Sequence, residues 1–468
     1  MNETAATICV IGGGITGLVA ARTAALSSSA CGVVLLEADG RVGGKIRTDA
    51  VDGVTVEAGP DSFLARDPIA TYLCNEVGLA DDLVPPAVFG AYVWRKGTLR
   101  RVPAGWPYGI PLAPFTGVAA GVLSVRGALR ASAEALWPRR LAGPDVSIGR
   151  FVARRFGREV LHGLVDPLLA GTRAGVADRI SLAAATPQVD GLARTRRSVL
   201  LALRAARRAG EIETGPPPFL GIAGGMERLV DHVVKDLRGR VDIRTDARVQ
   251  AITPTRRGYI VFTDTDALLA DGVVIAVPAF VAADLVERLD SRAAVDLRAI
   301  EYASVASVTL VYPTDAPGAP PQGSGVLVPS GERLTVSAAT WSTTKWPHLR
   351  PRDGRVVVRC FVGRAGLHPA LELDDAALSA RVAADVGDIM QVDRRPLAHA
   401  VVRWPRALPQ YEVGHLERIR RIEAALEDCP GVALAGAAYR GSGLPDCIHQ
   451  GQDAARRVLE AVGARAAR

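Results

Sequence analysis

Three glycines and one glutamate carry the first chemical signal. In ICVIGGGITG, residues 8–17, Gly12, Gly14 and Gly17 stand at G-x-G-x-x-G spacing. Gly12 permits a tight turn, Gly14 lets the backbone approach a pyrophosphate, and Gly17 allows a helix to pack closely on a strand. The backbone at Gly13, Ile15 and Thr16 would open that helix, where unsatisfied N–H groups and the helix dipole favour an anion. Glu37, twenty residues past Gly17 and followed by Ala38, is the expected acceptor for a ribose hydroxyl. Together these residues predict a dinucleotide site. No Ser/His/Asp or Cys/His arrangement is visible beside it.

Such a site needs a βαβ unit, and the sequence supplies one. Thr7 to Ile11 is an apolar β run, Thr16 to Leu26 is Ala-rich with helical spacing, and Val33 to Leu36 is a second apolar run that ends at Glu37. From Asp67 to Arg208 the pattern is mainly helical, with breakers at 103–114 and 143–144, which predicts an inserted helical domain. GIAGGMERLVDHVVKDL then places Gly224 and Gly225 before a helix whose Leu229, Val233 and Leu237 share one face. Strands follow in VDIRTDARVQAI, GYIVFTD and DGVVIAVP. The last of these, 272–278, is fully apolar, as expected where both faces of a parallel sheet are covered. Residues 301–405 mix strands (SVASVTLVY, GRVVVRCFVG) with a helix near 374–390 and predict a second sheet. The final segment reads strand, Gly-rich turn and helix, with Val432 to Ala435 expected to rejoin the first sheet.

The chain has 468 residues, of which 49% are hydrophobic and 22% charged, enough for two or three domains with buried cores. Its net charge of +7 comes almost entirely from arginine and contains no long block of like charge. That argues against a nucleic-acid tail and toward an anionic ligand or anionic membrane surface, beside the plainer reading of a solvated Arg-rich exterior. Six cysteines are scattered without a C-x-x-C pair or a close histidine, so neither a metal site nor a disulfide framework is signalled and a reducing cytoplasm is expected. The N-terminal MNETAAT lacks the basic and apolar regions of a secretory signal. Val102 to Val125 carries no charge, but Pro103, Pro107, Pro111 and Pro114 each lack an amide donor and exclude a membrane span over most of it. A buried loop, or an apolar surface resting on a bilayer, is expected there.

The continuation EADGRVGGKIRT, with Glu37, Arg41, Gly43, Gly44 and Lys45, resembles the second signature of the FAD-binding amine oxidase and protoporphyrinogen oxidase superfamily. EAGPDSFL (57–64), DPLLAGTRAG (166–175), GGMERLV (224–230) and GSGLPDCIHQG (441–451) resemble the bacterial porphyrinogen oxidases, in particular the group with the coproporphyrinogen III oxidases of Gram-positive bacteria. The likeness runs from residue 7 to about 460. It implies an α/β fold: a discontinuous Rossmann-like FAD-binding domain (1–66, 209–285 and 406–468), a helical insertion facing substrate or membrane (67–208) and a mixed-sheet substrate domain (286–405). By position, non-covalent FAD would meet Gly12 to Gly17 with its phosphates and Glu37 and Ala38 with its ribose. Arg41, Lys45, Gly59, Pro60, Asp61 and Ser62 would run along the diphosphate, ribityl chain and ring. Val249 would contact the adenine side, and Trp404, Gly436, Gly443, Leu444 and Pro445 would lie near the isoalloxazine. For Trp404 an ordinary core position weighs equally.

The resemblance further implies oxygen-dependent, six-electron oxidation of coproporphyrinogen III to coproporphyrin III in haem biosynthesis, in three flavin cycles with release of H2O2. Protoporphyrinogen IX is the alternative substrate. No side-chain base and no metal is expected to be essential. The propionates would call for arginines, whose planar forks match carboxylates; Arg66 and Arg173 are the candidates. Thr172-Arg173-Ala174-Gly175 departs from the family, which more often shows an aromatic-Ala-Gly-acid run. A cytoplasmic protein, peripheral at the inner face of the membrane and handing product to a ferrochelatase, completes the expectation; nucleic acid is not a partner. A flavin amine oxidase would need an aromatic cage and often a lysine near the ring, whereas the four lysines stand at 45, 96, 235 and 345, outside any motif for that role. A carotenoid desaturase would lack GPDSF, and a non-catalytic porphyrin carrier would bind no flavin.

Overall fold

Val10 and Cys9 face opposite sides of one strand and are both fully buried, which sets the architecture around them. In the computed structural model, which describes residues 6–27, 31–137, 139–210, 219–314, 316, 322–366 and 368–466, that strand (Ala6–Ile11) is the centre of a five-stranded parallel sheet. The order across the sheet is Asp242–Arg244, Cys31–Leu36, Ala6–Ile11, Gly272–Ile275, Val432–Leu434. Ile8, Val10 and Leu35 pack under helices Ile15–Ser27, Glu227–Leu237 and Leu444–Ala466. Cys9, Ile11, Val34 and Leu36 point the other way, onto the antiparallel strands Val249–Pro254, Tyr259–Thr263 and Ala267–Ala270 and onto helix Ala279–Val286. Cover on both faces is why these strands lack alternation. Val432–Leu434 does rejoin the sheet, pairing with Gly272–Ile275. The stretch VDIRTDARVQAI divides between this sheet and the three-stranded one.

The second sheet has seven strands in the order Ala398–Pro409, Tyr302–Tyr312, Val356–Val362, Val336–Trp341, Gly325–Leu327, Ala91–Arg95, Thr98–Arg101. Helix Asp375–Met390, capped by the Asp374 carboxylate on the Ala377 amide at 2.7 Å, buries Leu378, Val382, Val386 and Ile389 against it. Its last two strands come from the stretch read as helical. They form a hairpin whose turn residues Lys96 and Gly97 both have positive φ (50° and 76°), the geometry of a tight two-residue turn.

Of the rest of 67–208, helix Ile69–Glu76 packs Ala70, Leu73 and Cys74 into the core of the first sheet and Leu83–Val84 pairs with Phe219–Ile222, while the helices beyond residue 107 have their own core of Phe151, Phe156, Leu161, Leu164 and Leu200. Near the end of 67–208, helix Pro187–Thr195 stops and Val199–Arg208 starts after the Ser198 cap. Buried Glu134 accepts from the Val199 and Leu200 amides, each at 2.9 Å, and pairs with Arg155 at 2.9 Å. Of the uncharged stretch 102–125, Ile110, Leu112, Val122 and Leu123 are core, while Phe115 is 53% exposed. Among the described residues no helix is long and apolar enough to cross a membrane.

Candidate cofactor and substrate site

The glycine turn sits at the carboxyl ends of the parallel strands, where ligands of open α/β sheets bind. Gly12 has φ +104°, and a side chain on it would meet the Ala276 carbonyl oxygen at 2.7 Å. A Cβ on Gly17 would lie 1.9 Å from Gly12 O, so helix Ile15–Ser27 can start only with glycine there. Gly14, by contrast, faces open space. Glu37 accepts from the Gly13 amide at 2.6 Å and the Asp39 amide at 2.9 Å. The amides of Asp246 and Ala247 donate to Asp39 O and Glu37 O, which sets Val249 beside this acid and Ala38.

A second helix converges on the same cleft. Leu444–Ala466 begins at Leu444 and Pro445, just past Gly443, whose amide donates to Asp446 at 3.0 Å. It crosses the first helix so closely that a Cβ on Gly451 would meet Thr16 O at 2.4 Å. Two helix N-termini therefore face one space, and Gly436 borders it with φ +131°. Lys45 is exposed in that cleft, with no hydrogen-bond partner for its ammonium among the described residues. An open glycine, an acid for a ribose, two dipole ends and an unpaired cation fit an anionic dinucleotide. Arg41, also assigned to the cofactor from sequence, spends its guanidinium on Gly44 O, Ile46 O and Glu227 Oε1.

From this cleft Ala58 to Ser62 runs to the substrate sheet, and Gly59 lies against the Lys45 backbone, where a Cβ would meet Lys45 O at 1.8 Å. Trp404 is half-buried and donates its indole N–H to Ala58 O at 3.0 Å. Three further residues that the motifs did not single out hold the same segment. Arg359 donates to Ala58 O at 3.1 Å, to Gly59 O, and through Nε to Ser307 at 2.8 Å. Lys345 and the Trp346 indole both reach Asp61 Oδ2, at 2.8 and 3.0 Å, while Ser62 donates to Oδ1. Burial alone would raise the Asp61 pKa, but Lys345 and Arg359 hold it well below the usual carboxylate range. Glu57 is pushed up to about 7 by burial, although Met226 N and Thr48 donate to it. The signal for Arg359 was present in the sequence, as one charge inside the apolar run VVVRCFV.

Of the two arginines assigned to substrate, Arg173 ends helix Asp166–Arg173 and comes to the cleft. Its Nη1 is 3.5 Å from Ser442 Oγ, and its guanidinium lies 5.8 Å over the Tyr411 ring. Arg66 is exposed, beside Asp67, whose carboxylate meets His449 at 2.8 Å. Tyr411 donates to Ala437 O at 2.6 Å and accepts from the Gly441 amide at 2.9 Å, and so shapes the turn before the last helix.

The family profile described as flavin containing amine oxidoreductase matches residues 15–459. A coproporphyrinogen III oxidase of Bacillus subtilis (strain 168) is 34% identical over 464 residues, 97% of each chain. A coproporphyrinogen III oxidase of Mycobacterium tuberculosis (strain H37Rv) is 35% identical over 465 residues, 98% of this chain and 99% of that one. A crystal structure of an Exiguobacterium sp. 255-15 protein superposes with a TM-score of 0.87 at 31% identity, covering 97% of this chain and 99% of the other.

Proposed function

Because the chain belongs to the flavin containing amine oxidoreductase family, we propose that it oxidises coproporphyrinogen III to coproporphyrin III at the junction of the two sheets. It is an FAD-dependent oxidoreductase. The observation that carries the choice of substrate is likeness to coproporphyrinogen III oxidases along nearly the entire chain. The overall balance is one porphyrinogen plus three O2 giving one porphyrin plus three H2O2, with six hydrogens leaving the macrocycle. Bound FAD supplies the two-electron acceptor used three times and returned by oxygen.

The residues of the chain have the tasks of binding and orientation. Gly12 to Gly17, Glu37 and the start of the last helix hold the nucleotide half, and Lys45 neutralises its phosphates. Ala58 to Ser62, gripped by Trp404, Arg359 and Lys345, forms the wall toward the ring. Arg173 offers a cation to a substrate propionate, and exposed Arg66 is the second candidate. No side chain is assigned as a base: Asp61 is held ionised with both oxygens engaged, and burial keeps the Tyr411 phenol protonated.

The test is turnover of coproporphyrinogen III and protoporphyrinogen IX side by side, read by porphyrin fluorescence and oxygen uptake. Coproporphyrinogen should turn over faster with three O2 consumed per porphyrin; preference for protoporphyrinogen would reassign the substrate, and protein that stays colourless after FAD saturation would remove the enzyme reading. Placement in the cytoplasm, in keeping with six unpaired cysteines, and peripheral membrane contact belong to the same proposal. Exposed Phe115, Leu129 and Leu136 among arginines support the contact, which co-sedimentation with anionic vesicles would test. Hand-off of the product to a ferrochelatase would appear as porphyrin transfer unaffected by a trap in the bulk.

A further inference from the structure

We infer that Arg359 is a charge-setting residue for the bound flavin: a fixed buried cation that, opposed by Asp61, sets how readily the cofactor is reduced. The inference rests on the FAD reading of the cleft and on the resemblance that assigns Gly59 to Ser62 to the ring. Arg359 is only 6% exposed and is held on three sides, by Ser307 and by the Ala58 and Gly59 carbonyls. Its side chain lies over the Phe361 ring, with Cζ 4.8 Å from the centroid. Its Nη1 has no hydrogen-bond partner among the described residues and is not among the fully enclosed unpaired atoms, so it borders accessible space.

The charges around it do not cancel by chance of surface chemistry. Lys345 and Asp61 form a salt bridge at 2.8 Å, and Glu57, just before the segment, is a second acid that acts on Arg359 at longer range. Arg359 is then the one cation facing the Ala58–Ser62 wall from the sheet without a carboxylate in hydrogen-bond contact among the described residues. In a water-poor site a fixed charge acts far more strongly than in solvent. Reduction adds negative charge to the cofactor, so the fixed cation favours the reduced form and Asp61 disfavours it.

Opposite signs give the test. The midpoint potential of bound FAD is measured by dye-coupled spectroscopic titration in wild type, R359Q, R359K and D61N, with cofactor stoichiometry and melting temperature recorded for each. R359Q should move the two-electron equilibrium at least tenfold toward oxidised FAD, about 30 mV. R359K should stay within threefold of wild type, and D61N should move the equilibrium the other way. Unchanged potentials, or R359Q and D61N shifting in the same direction, would overturn the inference. So would R359Q that raises KM for porphyrinogen at an unmoved potential, which would give the arginine to substrate. Should R359Q fail to fold, the sign of D61N and the retention in R359K decide alone. Colourless wild-type protein would instead refute the underlying cofactor reading, so the two failures are distinct.

Discussion

Arg359 and Trp404 come from strands separated by a third, Tyr302–Tyr312, yet both donate to the carbonyl oxygen of Ala58, at 3.1 and 3.0 Å. One backbone oxygen of the nucleotide-binding half is thus gripped by two strands of the substrate sheet, 301 and 346 residues away.

That sharing predicts a mild effect for Trp404→Phe. The ring remains to fill its place, and Arg359 still satisfies Ala58 O, so the loss is one neutral hydrogen bond, about 1 kcal/mol. Melting curves should show a drop of about 1 °C in the FAD-loaded protein and a smaller one in the stripped protein. Equal drops in both would place Trp404 in the plain core role that its sequence context allowed.

Glu37→Ala should act on the cofactor more than on the fold. The carboxylate holds the Gly13 and Asp39 amides, both in a solvent-reachable turn, and is the proposed ribose acceptor. A hydrogen bond to a charged group contributes about 1.5–3 kcal/mol, so FAD should bind roughly ten- to 150-fold more weakly. Fluorescence titration of the stripped variant with FAD measures this. An unchanged Kd would move the ribose elsewhere.

What could be read from the sequence follows how local each contact is. The Gly12–Gly17 turn and Glu37 belong to one βαβ unit of consecutive elements, so spacing alone located them. The apolar run 272–278 announced a doubly covered strand, but its pairing with Ala6–Ile11 joins residues more than 260 apart, beyond any periodicity. The Ala91–Arg101 hairpin was absorbed into a helical stretch because its turn is Lys96-Gly97 rather than Asn-Gly or Asp-Gly. Arg359 and Lys345 reach the site only through the second sheet. Position by resemblance gave Asp61 but not the cation that pairs with it.

Arg173→Ala should separate substrate binding from turnover. The side chain reaches Ser442 at a long 3.5 Å and otherwise lies over Tyr411, so it is loosely held and available to a carboxylate. KM for coproporphyrinogen should rise about tenfold, as for loss of one charge-assisted contact, with kcat within threefold. The tetramethyl ester of the substrate should be indifferent to the change. A fall in kcat at constant KM would instead mark Arg173 as a clamp on the turn leading to Gly443.

His415 supplies a pH test in which two buried groups oppose each other. The ring is fully buried, stacks on Tyr411 at 4.1 Å, and meets Tyr439 O at 2.9 Å through Nε2. A carbonyl can only accept, so Nε2 carries the proton and Nδ1, which has no partner, would have to take a second one on acidification. Burial lowers its pKa from 6.5 to about 4; Tyr439 O works against that, and Arg418 and Arg440 add to it. The unfolded chain therefore binds a proton that the native one refuses, and stability falls as pH drops from about 6.5 to about 4, by roughly 3 kcal/mol in full. Glu57 works the other way: burial raises its pKa from 4.5 to about 7, so its part is present at low pH and is lost as pH rises through that range. The wild-type dependence is the sum of two opposed slopes. His415→Phe keeps the stack and removes one titration, so it should lose about 1 kcal/mol at pH 7 with the Tyr439 bond, yet approach and then overtake wild type toward pH 4. Denaturant unfolding at four pH values measures the difference, and parallel curves would mean that the native ring accepts its second proton as readily as the unfolded one.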